Sequence, residues 1–201
     1  MTVLELPAAK VDRSVPGLRR REDARFEALV RQHQDRIYAF CARMLGEAEE
    51  ASDVAQEVFL AVHRHLDGFR ADATLTTWLY RIARNQCLNR LQYLQRRGRG
   101  RKDEYGEGNE RAITESQGGA PRPDEALASR QEQARVQRAI GRLDPDQRAL
   151  VVLRDLEGLS YEAIAEVAEL PLGTVKSRLH RARERLAALL GELDGEVDHG
   201  H

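Results

Sequence analysis

The sequence predicts an all-α chain of two small helical domains joined by a flexible linker, and three observations lead there. Apolar residues recur at three- and four-residue spacing through most of the 201 residues, and no segment alternates with the period of a strand. Helix start and stop signals bracket those segments. Between them, residues 98–125 are rich in glycine and acids and nearly devoid of large apolar side chains, so they cannot bury enough surface to offset their ordering entropy.

Residues 1–22 lack sustained periodicity, contain Pro7, Pro16 and Gly17, and read as a flexible N-terminal tail. A long amphipathic helix follows, with Phe26, Leu29, Val30, His33, Ile37, Phe40, Cys41 and Met44 on one face and Gly46 as its stop. A second carries Ala51, Val54, Val58, Ala61, Val62 and Leu66 and ends near Gly68. A third opens at Thr74 or Thr76 and runs through Trp78, Leu79, Ile82, Leu88 and Leu91 into an arginine cluster. These three make a bundle over residues 23–97. Past the linker, periodicity resumes at Leu127, Val136 and Ile140. Asp144-Pro145-Asp146-Gln147 is a helix start: Asp144 caps, Pro145 takes the first helical position and Gln147 can reach back. Leu150, Val151, Leu153 and Leu156 fill that helix, and Gly158 ends it.

The last two helices carry the chemistry. Ser160 caps a short one with Ile164, Val167 and Ala168 on its inner face, and Pro171 ends the pattern. Thr174 caps the next, whose Val175, Leu179, Leu186 and Leu190 face inward while Lys176, Ser177, His180, Arg181 and Arg183 project from other faces. Two short helices around a tight turn, the second opening on polar and basic side chains, are the build of a helix-turn-helix that presents its second helix to the DNA major groove. This second domain spans 126–191, and 192–201 form an acidic tail.

Net charge is only −1, but it is unevenly placed. From Arg84 to Lys102 there are seven cations and no acid, and Lys176 to Arg185 holds a second basic run with Glu184 its only acid. Two basic zones on a neutral chain point to two phosphate-binding places and to weak affinity of the free protein for DNA. No run of about 18 apolar residues spans a membrane, and Glu5, Lys10, Asp12 and Arg13 interrupt any secretion signal. The two cysteines, in unrelated contexts, suggest a reduced, cytoplasmic setting. His33, Cys41, His63, His65 and Cys87 follow no zinc spacing. With no nucleophile–base pair and no phosphate-cradling glycine loop, no enzyme and no cofactor are indicated.

With both halves in view, the chain resembles the extracytoplasmic-function sigma factors, the minimal two-domain class of bacterial RNA polymerase initiation subunits. The resemblance rests on Asp53-Val54-Ala55-Gln56-Glu57-Val58-Phe59-Leu60, on Phe69-Arg70, and on Thr77-Trp78-Leu79-Tyr80-Arg81-Ile82-Ala83-Arg84-Asn85. In the second domain it rests on Leu143-Asp144-Pro145-Asp146-Gln147-Arg148 and the helix-turn-helix. It implies an alternative, stress- or signal-responsive initiation factor with three partners: core polymerase (its clamp coiled-coil and flap), promoter DNA, and an anti-sigma factor.

The resemblance also assigns residues. Asp53, Gln56, Glu57 and Leu60 would dock on the polymerase clamp. Asn85 and Asn89 would read unstacked bases of the −10 element, which suits an amide that both donates and accepts. Phe69 and Arg70 lie in the loop that holds the extruded base, and Arg90, Arg96 and Arg97 would hold phosphates. Many relatives carry Asp at the position of Asn89, so the preferred −10 sequence does not transfer. On the −35 duplex, Lys176, Ser177, His180 and Arg181 would reach base edges or flanking phosphates, with Thr174, Arg178 and Arg183 beside them. One departure stands out: Glu169 occupies a turn position where relatives commonly have glycine, and a positive φ there costs about 1 kcal/mol.

The two promoter elements lie roughly 50–70 Å apart. The linker averages about 25–30 Å as a coil and extends to about 85–90 Å, so it spans them only when stretched. The same freedom would let the domains close on each other. A stand-alone regulator using only the second domain is the competing reading; against it, the first domain has no pocket signature and carries its own basic helix.

Overall fold

The computed structural model describes residues 16–65, 74–99 and 123–198. Seven α-helices account for nearly all of it: α1 (Pro16–Leu45), α2 (Ala48–His65), α3 (Leu75–Arg99), α4 (Pro123–Gly141), α5 (Pro145–Val151), α6 (Tyr161–Ala168) and α7 (Leu172–Asp198). There is no strand among the described residues. Phe69, Arg70 and most of the expected linker lie outside them.

Most boundaries follow from local chemistry. Gly46, at φ +80°, ends α1 in the left-handed conformation that glycine adopts at little cost. Thr74 caps α3 by accepting the Thr77 amide at 3.2 Å. Ser160 Oγ accepts from Ala163 N at 3.1 Å at the start of α6. Beyond α5 the helix widens into a π-helical turn, Val152–Leu156, closed by Glu157 N donating to Val152 O at 2.9 Å, and Gly158 (φ +73°) stops it.

Several boundaries differ from the sequence reading. Helix α1 starts at Pro16 and takes in the last seven residues of the expected tail, because proline is compatible with a first turn that needs no amide donor. Helix α7 starts at Leu172, with Val175 N donating to Pro171 O at 3.0 Å, so Thr174 sits inside the first turn and is not the cap. It also runs to Asp198, through most of the expected acidic tail. Asp144 precedes α5 as expected, but its backbone carbonyl, not its carboxylate, closes the turn by accepting from Arg148 N at 2.8 Å.

Glu169 does adopt the left-handed conformation (φ 56°, ψ 43°) and ends α6 there. The turn therefore keeps its shape and the chain bears the strain. Glu169→Gly should stabilise the fold by about 1 kcal/mol, a rise in melting temperature of roughly 2–4 °C on thermal denaturation. An unchanged or lower Tm would mean that the Glu169 side chain compensates, for instance through its 3.9 Å ion pair with Arg81.

The apolar faces assemble largely as their spacing predicts; the exceptions are Leu156, which is exposed, and α7, which buries Leu189 more fully than the expected Leu186 and Leu190. Ile37, Phe40 and Met44 of α1, Val54, Val58 and Val62 of α2, and Leu79, Tyr80 and Cys87 of α3 are fully buried. In the second half Ile140, Leu150, Leu153, Ile164, Val175, Leu179 and Leu189 are buried likewise. The two halves are not held apart. They pack along a seam of α1 and α3 against α4, α5 and α6, and their cores are continuous.

Helix ends meet at that seam. The last carbonyls of any α-helix lack intrahelical donors. Two of those of α1 are satisfied from the second half: Gln137 Nε2 donates to Arg43 O at 3.1 Å, and the buried Arg148 guanidinium donates to Met44 O, while Ala42 O accepts locally from Gly46 N at 2.9 Å. Reciprocally, Arg81 of α3 donates through Nε and Nη2 to Glu166 O near the end of α6, at 3.1 and 2.8 Å.

Candidate nucleic-acid interface

Three helices present the residues singled out by sequence. On α2 the buried stripe of Ala51, Val54, Val58 and Val62 leaves Asp53, Gln56, Glu57 and Leu60 together on the opposite, exposed face. Leu60 is 61% exposed, an apolar side chain ringed by polar ones and uncovered by any part of the described chain.

On α3, Tyr80, Ala83 and Cys87 face the core, which turns Asn85 (half-buried) and Asn89 (exposed) to another side, four residues apart and so one above the other. The amide of Asn85 accepts from Arg84 Nη1 at 3.4 Å. Arg90 is less available than expected: it donates to Glu50 Oε2 at 2.5 Å and to Glu57 Oε1 at 2.7 Å. Burial works against its charge, and the two carboxylates outweigh it, holding the guanidinium above its ordinary range. One carboxylate, Glu57, thus belongs both to the α2 face and to the basic side of α3. Arg96 and Arg97 are exposed at the far end of the helix.

On α7, Val175, Leu179 and Ala182 point inward, and Lys176, Ser177, Arg178, His180 and Arg181 are exposed on the outer face with Thr174 half-buried beside them. Lys176, Arg178 and Arg181 make no ion pair among the described residues; Arg181 Nε donates only to Ser177 O one turn back, at 3.4 Å. His180 lies 3.6 Å from Glu184. Arg183 differs. It grips Asp155 two-pronged, with Nε donating to Oδ2 at 3.0 Å, and the hydrogen-bonded carboxylate raises its pKa. A phosphate would have to displace Asp155 to reach it.

Sequence reasoning did not single out the seam. Tyr80 Oη donates to Glu157 Oε2 at 2.5 Å, Arg43 Nη1 contacts Glu157 Oε1 at 3.0 Å, and Arg36 lies 3.6 Å from the same carboxylate and donates to the Glu157 carbonyl at 3.3 Å. The Glu157 side chain is only 6% exposed. Burial, together with the carboxylate it serves, pushes the Tyr80 phenol above its usual range. Arg84 reaches across to Asp146 at 2.5 Å. The advance signals were the linker's freedom to let the domains close on each other and Arg84's place in the acid-free basic run.

No group of three or more His, Cys, Asp or Glu side chains converges on a possible metal position among the described residues. None of their helices is long and apolar enough to cross a membrane.

Comparison with known proteins places both halves. Residues 29–97 match the family described as Sigma-70 region 2, and residues 133–186 match Sigma-70, region 4. The chain is 38% identical over 187 residues to the RNA polymerase sigma-H factor of Pseudomonas aeruginosa, covering 89% of this chain and 93% of that one. It is 33% identical over 190 residues to the ECF RNA polymerase sigma factor SigW of Bacillus subtilis, covering 91% and 98%. It is 38% identical over 165 residues to the ECF RNA polymerase sigma-E factor of Escherichia coli, covering 80% and 84%. Among solved structures, the sigma factor RpoE of Bartonella quintana, in complex with the anti-sigma factor NepR, superposes with a TM-score of 0.66 at 26% identity, over 83% of this chain and 96% of that one. CnrH, in complex with the cytosolic domain of CnrY, superposes with a TM-score of 0.57 at 29% identity, over 83% and 88%.

Proposed function

This chain belongs to the extracytoplasmic-function class of the sigma-70 family, and on that premise we propose how its surfaces divide the work of a transcription initiation factor. The exposed face of α2 (Asp53, Gln56, Glu57, Leu60) docks on the clamp of core RNA polymerase. The outer face of α3 reads the opened −10 element, with Asn85 and Asn89 at base edges and Arg90, Arg96 and Arg97 on phosphates. The outer face of α7 reads the −35 element as duplex, through Lys176, Ser177, His180 and Arg181, with Arg178 on the backbone. An anti-sigma factor holds the protein inactive until a signal releases it, a reading supported by its likeness to RpoE of Bartonella quintana, solved in complex with the anti-sigma factor NepR. The factor performs no catalysis of its own.

The observation that carries this reading is the α7 face: a helix-turn-helix whose second helix points Lys176, Arg178 and Arg181 outward, in no ion pair among the described residues, although Asp144 and Asp146 line the same shallow cleft as Arg178 and Arg181. Groove-facing cations of this kind can donate in pairs to guanine acceptors. The decisive experiment mixes the purified protein with bacterial core polymerase and fragments of genomic DNA. Start sites that appear only when it is added support the assignment and yield the promoter sequence. Failure to bind core, together with specific binding of duplex DNA alone, would replace it with a stand-alone regulator.

A finer test concerns Arg181. Its replacement by Ala should reduce discrimination between cognate and altered −35 sequences by about 10-fold or more, or roughly 1–3 kcal/mol for a bidentate base contact. Competition binding by polymerase holoenzyme reads this directly. A uniform loss across all sequences would make Arg181 a phosphate contact.

A further inference from the structure

The exposed cations of α7 are held in different ways. Arg181 is steadied by its own helix, through Ser177 O one turn back at 3.4 Å. Lys176 is held from outside it: the ammonium lies 5.8 Å from the centre of the Tyr161 ring. Tyr161 opens α6 directly after the Ser160 cap, and its half-buried ring packs against the core. Two arginines fix that ring. The Arg154 guanidinium lies over it at 4.6 Å and is itself anchored, with Nη1 donating to Leu159 O at 2.6 Å. Arg183, gripped by Asp155, also donates to the Tyr161 phenol. The ring is a platform braced from three elements, and Lys176 is the one base-reading side chain that rests on it.

A lysine needs such support more than an arginine does. Its ammonium is a compact, strongly hydrated point charge on a flexible four-carbon stem, without the planar fork that orients arginine on a base edge. A free lysine that donates to a base must first lose the rotamer freedom of that stem, and one already placed has less to lose. An aromatic face within about 6 Å attracts a cation and supplies the placement. We propose that Tyr161 is a positioning residue for −35 recognition: its ring holds the Lys176 ammonium on the groove-facing side of α7, so that a flexible side chain acts as a fixed donor to one base pair. A tethered ammonium cannot wander to a neighbouring phosphate, so the placement bears on specificity and not only on affinity. Arg154 shares the ring, and repulsion between the two cations favours the Lys176 conformers that lead outward to DNA. The inference rests on α7 being the −35 reader proposed above, but the placement of Lys176 can be measured without polymerase or DNA.

The chain has three lysines, Lys10, Lys102 and Lys176, so isotope-labelled lysine gives a simple NMR spectrum of the full chain, and Lys176→Gln assigns its signals. The terminal methylenes of Lys176 should carry an upfield ring-current shift. Tyr161→Leu should remove it, and Tyr161→Phe, which keeps the ring, should retain it. Competition binding by polymerase holoenzyme, with one −35 base pair altered at a time, gives the second readout. Lys176→Ala identifies the base pair that Lys176 reads. Tyr161→Leu should lower discrimination there by about two- to fivefold, the range of an exposed cation–π contact, and leave other positions unchanged. Tyr161→Phe should match the unaltered chain, and in a Lys176→Ala background Tyr161→Leu should have no further effect at that base pair. The proposal is overturned if the methylenes carry no ring-current shift, or if Lys176→Ala weakens all sequences alike, which would make Lys176 a phosphate contact. It is overturned equally if Tyr161→Leu acts on every position or without Lys176, or if Tyr161→Phe is as damaging, which would assign the role to the hydroxyl. Thermal melting checks that each variant folds, and the shift in the unaltered chain stands as a test that no Tyr161 variant is needed to read. A chain that shows the shift yet does not join core polymerase would count against the function proposed above and not against the placement.

Discussion

Replacing Leu60 with Asp should lower affinity for core RNA polymerase by ten- to a hundredfold and leave the fold intact. Leu60 is 61% exposed and packs against nothing that a melting experiment would report, so its substitution should shift stability by less than about 0.5 kcal/mol. A leucine side chain buried on docking contributes roughly 1.5–3 kcal/mol, which corresponds to the expected loss. Its neighbours Asp53, Gln56 and Glu57 form the polar ring that lets one apolar anchor dominate a contact. Pull-down or fluorescence anisotropy with core polymerase measures the effect, and circular dichroism confirms the fold. Undiminished affinity would remove this face of α2 from the interface, whatever the activity in transcription.

Glu57 ties the proposed docking face of α2 to the basic side of α3. Its carboxylate also holds Arg90, so a polymerase group that takes Glu57 leaves Arg90 with Glu50 alone. On the proposed assignment, docking and −10 phosphate capture would share an atom set, and substitutions at Glu57 would not report on polymerase contacts alone. Leu60 is the cleaner probe because its apolar side chain enters no ion pair; only its backbone carbonyl is engaged, accepting from Arg64 Nε at 3.2 Å.

Much of the architecture was legible because the signals are local. Gly46 and Gly158 sit at positive φ where the sequence placed helix stops, and Thr74 and Ser160 cap where hydroxyls precede apolar runs. The buried faces of α1, α2 and α7 are those of their 3.6-residue periodicity. What escaped depends on partners remote in sequence. Glu157 follows a helix and looks like any solvated acid; its partners Tyr80, Arg43 and Arg36 lie 77, 114 and 121 residues away. The pairing of Arg183 with Asp155 bridges 28 residues and changes how a basic helix face should be read. The start of α7 was misplaced because Thr174 is a good cap residue, while Pro171 closes the turn with its backbone oxygen.

Arg148→Met should cost about 3 kcal/mol of stability, the largest effect expected of any single polar substitution at the seam. Arg148 is 8% exposed, and burial depresses its pKa, so the fold carries the penalty of holding this charge for what the guanidinium supplies. It supplies donors to three carbonyls: Met44 O at the end of α1, Gly141 O at the end of α4, and Leu143 O at 3.3 Å. Methionine keeps the aliphatic packing and removes all three donors, and each carbonyl left buried and unpaired costs about 1–3 kcal/mol. The relief of desolvation returns part of this, which is why the expected sum lies near the cost of breaking one buried ionic contact. In a chain of this size that is a fall of roughly 6–12 °C in melting temperature. Lysine at the same position keeps the charge but has no planar fork to reach three oxygens, so Arg148→Lys should recover little of the loss. A Tm unchanged in both variants would mean that water satisfies those carbonyls and that the helix ends at the seam are wet.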